Sequence, residues 1–105
     1  MGYMLKSGLS KSVIYNAVQD HDTSGTVLPS LRKCEFRKYR NSYWLSFYDG
    51  TYSWEILLCQ FSGSVCFRFT RCEYLDNDVN HYTPCSLLSV PFEYCLEHGM
   101  LREAA

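Results

Sequence analysis

Arg37, Tyr39, Trp44, Tyr48 and Arg68 are residue types that could carry recognition chemistry. Aromatic rings stack unpaired bases while guanidinium groups hold a phosphate backbone. Trp, Tyr and Arg are also the side chains most enriched at protein binding hot spots. Arg32, Lys33, Lys38 and Arg40 add positive charge beside Arg37. Against a phosphate ligand stands Glu55, which the turn positions place directly across from Trp44. The expected occupant of this surface is a larger protein. Single-stranded nucleic acid is the alternative, and an ordinary sheet face, part solvated and part packed under a loop, is the reading that needs no ligand.

Other constellations are weaker. His81 and Cys85 stand four apart and Cys95 and His98 three apart, and thiolate with imidazole suits zinc. Neither pair forms the Cys-x-x-Cys knuckle whose tight turn aims two sulfurs at one ion, so neither a metal nor another cofactor is expected. Asp76, Asp78 and Asn80 alternate like the opening of a calcium loop. The match fails at His81, where Gly must turn the chain, and at Leu87, where a bidentate Glu must close the site. Cys85 or Cys95 with His81 or His98 would supply a nucleophile and a base, but no signature places them, and no phosphate-cradling Gly loop or Gly-x-Ser-x-Gly elbow is present. An enzyme is not expected. The run Ser7-Gly8-Leu9-Ser10-Lys11-Ser12-Val13-Ile14-Tyr15 resembles the turn and second helix of a helix-turn-helix DNA reader, which implies contact with the major groove. The six residues from Met1 to Lys6 scarcely provide its first helix, so a capped amphipathic helix is the simpler reading.

The elements that must position these residues follow from turn chemistry. Aromatic-rich runs between residues 34 and 74 are separated by Asn41-Ser42, Asp49-Gly50 and Ser62-Gly63-Ser64, which supply the positive φ angles of tight hairpins. They predict a four-stranded antiparallel meander. Alternation then sorts Phe36, Tyr43, Leu45, Phe47, Trp54, Ile56, Leu58, Val65, Phe67 and Phe69 to a core face. The opposite face receives Arg37, Tyr39, Trp44, Ser46, Tyr48, Glu55, Leu57, Cys59, Arg68 and Thr70. Leu9, Val13, Ile14, Ala17 and Val18 recur at helical spacing behind Ser10, predicting a helix over 10–20 capped by that serine. Thr83-Pro84 and Pro91 read as helix starts, with Phe92, Cys95, Leu96 and Gly99 along one side, so one or two C-terminal helices are expected over the core face. The expected fold is α+β, a single domain over 1–105.

Composition narrows the function classes. Ten basic and eleven acidic side chains give a net charge of −1, too balanced for a field that draws in nucleic acid globally. No run of about 18 apolar residues could span a bilayer, and neither an apolar export signal nor a myristoylation pattern is recognisable at Met1-Gly2, where Lys6 replaces the needed Ser or Thr. A soluble, cytoplasmic protein without a membrane partner is expected. In that compartment the six irregularly spaced cysteines read as free, mostly buried thiols. A small neutral domain of this kind fits a non-enzymatic binding module, like the inhibitor or adaptor proteins of phages and mobile elements. A homodimer through the aromatic face is the version that needs no outside partner.

Overall fold

The computed structural model describes residues 2–22, 28–74 and 80–104, the strand segments 73–74 and 80–86 as backbone. Chain order is β1 (Tyr3–Leu5), α1 (Lys11–His21), a 3₁₀ turn (Leu31–Lys33), β2 (Glu35–Tyr39), β3 (Ser42–Tyr48), β4 (Ser53–Phe61), β5 (Ser64–Tyr74), β6 (Asn80–Ser89), α2 (Phe92–Glu97) and β7 (Leu101–Glu103). Strands β2 to β6 form an antiparallel five-stranded sheet in sequence order, while β1 pairs with β7 in a separate ribbon. The fold is α+β. The expected meander is therefore real but one strand short.

The added strand, β6, corrects the expected helix start at Thr83-Pro84. Proline cannot donate to a ladder and is confined to edges and bulges. Both conditions hold here: β6 is an edge strand, and its register slips between Phe69↔Ser86 and Thr70↔Pro84, leaving Cys85 as the extra residue. Asp76 and Asp78 of the calcium-like run lie outside the described residues, as do Thr23, Ser24 and Gly25 of the polar connection after α1.

Two of the three reversals fall at different residues from those expected. The β2–β3 loop is Arg40-Asn41, with Arg40 at φ +55°, and the β3–β4 loop runs over 49–52. That longer loop is built by Asp49, whose Oδ1 accepts from the N–H groups of Thr51 (2.8 Å) and Tyr52 (2.7 Å) while Oδ2 accepts from Trp54 Nε1–H (2.7 Å). The β4–β5 loop is Ser62-Gly63, whose φ angles of +50° and +84° belong to a mirror-image type I′ turn. Each displacement moves opposed pairs by two residues, so every side chain keeps its face.

The core lies between the inner sheet face, α1 and the β1/β7 ribbon. Tyr43, Leu45, Ile56, Leu58, Phe67 and Phe69 are essentially fully buried there with Ile14, Ala17 and Val18 of α1 and Leu5 of β1. Phe36 and Trp54, expected in the core, are half-buried at its margin. Helix α1 starts one residue after Ser10, whose hydroxyl accepts from Val13 N–H (3.4 Å); Leu9 and Ile14, both buried, occupy the positions of a hydrophobic staple. A strand at Tyr3–Leu5 takes the place a first DNA-reading helix would need.

Polar side chains strap the ribbon to the sheet. The buried Tyr43 hydroxyl donates to Lys6 C=O and accepts from Leu9 N–H (3.1 Å). Gln60 accepts from Leu5 N–H (3.1 Å) and donates to Tyr3 C=O (2.7 Å), and Asn41 Nδ2 donates to Leu5 C=O (2.7 Å). Among the described residues one short C-terminal helix forms, α2. It ends in a Schellman motif, with Gly99 at φ +64° donating to Leu96 C=O (3.2 Å) and Met100 N–H to Cys95 C=O (2.9 Å). Cys95 is fully buried, but Phe92 and Leu96 are exposed and Gly99 belongs to the cap, so the expected apolar side of this helix reduces to one cysteine.

Candidate functional site

Strand alternation leaves one row of side chains running across all five strands on the outer face: Arg37, Trp44, Leu57, Arg68 and Leu87, each opposite the next in register. At the β2 end the Arg37 guanidinium lies 5.4 Å from the Trp44 ring centroid and donates from one Nη to Glu55 Oε2 at 3.0 Å. Arg37 thus reaches over Trp44, because the 49–52 loop pairs Glu55 with Ser46 and puts Leu57 across from Trp44. That corrects the expected Trp44/Glu55 pair. The ion pair is solvent-exposed on both sides and contributes about 0–1 kcal/mol, so its main effect is to hold the guanidinium over the indole.

The expected recognition residues share this face without forming one cluster. Arg37 and Trp44 adjoin. Arg68 lies two strands from Trp44, about 10 Å away, with Leu57 between them. Tyr39 sits at one end of the face with the Arg40 guanidinium 5.2 Å from its ring. Tyr48 lies at the other, four residues along β3 from Trp44 or about 13 Å, its hydroxyl donating to Gly50 C=O at 3.0 Å. Tyr39 and Tyr48 are 63% and 61% exposed, Trp44 is half-buried, and Arg68 is exposed with no ion pair among the described residues.

Three apolar residues of this face are missing from the expected contact set: Leu57, expected on the face but not in the set, and two more. Leu87 is 68% exposed at the end of the row beyond Arg68; reading Thr83-Pro84 as a helix start hid it, although Leu87 and Ser89 alternate as a strand would. Phe61, 74% exposed, is the last residue before the Ser62-Gly63 turn and shares the parity of Leu57 and Cys59, the signal that could have found it. Tyr48 also borders an open cleft of about 410 Å³ between the 3₁₀ turn and the end of β3, lined by Lys33, Glu35, Ser46, Phe47, Ser53 and Trp54.

Comparison with protein-family models, curated proteins and solved structures finds no match to this chain.

A second polar cluster joins the two helices. Tyr94 Oη donates to Asp20 Oδ2 at 2.7 Å, His21 meets its ring edge-on at 4.3 Å, and His98 stacks on it at 3.8 Å, tying α2 to the end of α1. Burial and then the Asp20 carboxylate hold the Tyr94 phenol well above its ordinary range. Cys95 points into the core while His98 is exposed on Tyr94, so that pair does not converge on one ion or one substrate atom. The side chains of His81 and Cys85 lie outside the described set. Among the described residues no group of three or more His, Cys, Asp and Glu could hold a metal ion, and no helix is long and apolar enough to cross a membrane.

Proposed function

We propose that the protein is a non-enzymatic, cytoplasmic binding module that docks its outer sheet face on a larger protein, in the manner of an inhibitor or adaptor. The observation carrying this reading is the row Trp44, Leu57, Arg68, Leu87: Arg68 and Leu87 are exposed and Trp44 and Leu57 only half-buried, although the same strands bury most of their other side in the core. Leu57 and Leu87 alternate with an indole and a guanidinium, the mixture that forms an interface core when water is excluded. The partner surface that fits is an apolar groove with a carboxylate placed for Arg68. Arg37, already held by Glu55, sets register more than affinity.

Single-stranded nucleic acid is the less favoured ligand, because Glu35 and Glu55 stand on the same face beside Arg37 and would meet phosphates. Capture from a lysate of the native host tests the proposal. The expected result is one stoichiometric partner, lost with Trp44→Ala/Arg37→Ala and retained with Asn16→Ala/Gln19→Ala on the exposed side of α1. Retention by the first pair, or oligonucleotides that quench Trp fluorescence with a steep salt dependence, would replace it. A dimer in sedimentation equilibrium that the same double variant dissolves would make a second copy the occupant.

A further inference from the structure

Cys59 and Cys66 are directly opposed on β4 and β5, both on the outer face. Their separation follows from the turn. In the type I′ loop Ser62-Gly63 the C=O of Phe61 faces the N–H of Ser64, which makes Phe61↔Ser64 a hydrogen-bonded pair. Pairs alternate along an antiparallel ladder, so Cys59↔Cys66, two residues on, is hydrogen-bonded as well, with Cα atoms about 5.5 Å apart. That lies near the middle of the disulfide range of about 4.4–6.8 Å. Both side chains leave the same side of the sheet, and both are free thiols.

We propose that Cys59 and Cys66 form a reversible cross-strand disulfide, a redox modification site on the outer face. The oxidant is a small-molecule disulfide such as oxidised glutathione. Cys59, half-buried, is the entry point: its thiolate attacks one sulfur of the small disulfide, the S–S bond breaks, and one thiolate leaves. Cys66 is buried, and burial together with the neighbouring Cys59 thiol pushes its own thiol up, so it waits for a partner already in place. Its thiolate attacks the Cys59 sulfur of the mixed disulfide, forming the Cys59 Sγ–Cys66 Sγ bond and expelling the second small thiolate. Two protein thiol protons are released and two small thiols formed, so electrons and protons balance. Cys34 and Cys95 belong to the core, and Cys72 lies six residues along β5 opposite Ser53, so none of these three faces a thiol across the ladder.

The test uses the full chain in oxidised and reduced glutathione buffers, quenched by alkylation. Trypsin releases residues 41–68 as one peptide holding Cys59 and Cys66 and no other cysteine. The expected product is that peptide lighter by two hydrogens and unalkylated until reduced, with Cys34, Cys72 and Cys95 still alkylated after unfolding. Cys66→Ser should stop at a glutathione adduct on Cys59, and Cys59→Ser should leave Cys66 unmodified. A wild-type peptide that stays doubly alkylated in the most oxidising buffer, that stops at the mixed disulfide, or that oxidises no faster than Cys34, Cys72 or Cys95 would overturn the proposal.

Discussion

The two faces of the central sheet are made by the same strands and are chemically opposite. Inward, Tyr43, Leu45, Ile56, Leu58, Phe67 and Phe69 meet α1 and the β1/β7 ribbon and lose essentially all contact with solvent. Outward, the neighbours of those same residues are Trp44, Leu57 and Arg68, with Leu87 beyond them; Trp44 and Leu57 are half-buried and Arg68 and Leu87 exposed. A sheet solvated on one side ordinarily alternates apolar with polar. Here leucine, indole and phenol rings remain on the wet side, and that departure is the physical basis for assigning the inner face to folding and the outer face to a partner.

Stability and binding should therefore separate by face. The largest effect is expected inside: Phe67→Ala should cost about 3–5 kcal/mol in urea unfolding, since it empties fully buried volume. Outside, Trp44→Ala should weaken partner binding about 30-fold, equivalent to about 2 kcal/mol by calorimetry, while moving the unfolding midpoint little. Equal losses of stability from both substitutions would break the distinction. Tyr43→Phe sharpens it, because the aromatic volume stays but Lys6 C=O and Leu9 N–H lose their shared hydroxyl; the expected cost is about 1–3 kcal/mol with binding unchanged.

Smaller effects belong to the sheet ends. The Tyr52 N–H, then Trp54 Nε1–H and Thr51 N–H, hold the Asp49 carboxyl below its ordinary range, so its contribution to stability is present above the unfolded value of about 3.9 and is lost as pH falls through the lower folded value. Wild type and Asp49→Asn should differ in stability at neutral pH and converge in acid below about pH 4. The smallest effect is expected for Glu55→Gln: about 0–1 kcal/mol in stability, with the Arg37 guanidinium freed from its place over Trp44.

Most of this contrast is legible in the sequence because side-chain alternation has a period of two. Misplacing the Arg40-Asn41 reversal by one residue, or shortening the 49–52 loop, moves pairs by two and leaves every face assignment standing. Pair identities are not so protected: a two-residue Asp49-Gly50 loop sets Glu55 against Trp44, whereas the longer loop pairs Trp44 with Leu57. The Asp49 carboxylate carries the missed information, since a side chain that caps two N–H groups favours a longer loop than the Asp-Gly pair alone suggests. Strand β6 was hidden by Pro84, whose meaning differs between a helix start and an edge-strand bulge, and Leu87 was hidden with it. The β1/β7 ribbon pairs strands of three residues from the two ends of the chain, too short for a periodic signal and dependent on contacts from Gln60 and Asn41. By contrast, Ser10 and Pro91 mark helix starts by local chemistry, and the structure uses both there, whereas Gly99, expected along the side of the last helix, lies past its end and closes the cap.

Hydroxyl-radical footprinting of the protein alone and in the complex recovered from its host tests the central assignment most directly. The outer-face account predicts that Trp44, Leu57 and Leu87 lose reactivity in the complex while Phe92 and Leu96 on α2 keep theirs. Protection confined to α2, with Trp44 and Leu87 as reactive as in the free protein, would contradict it.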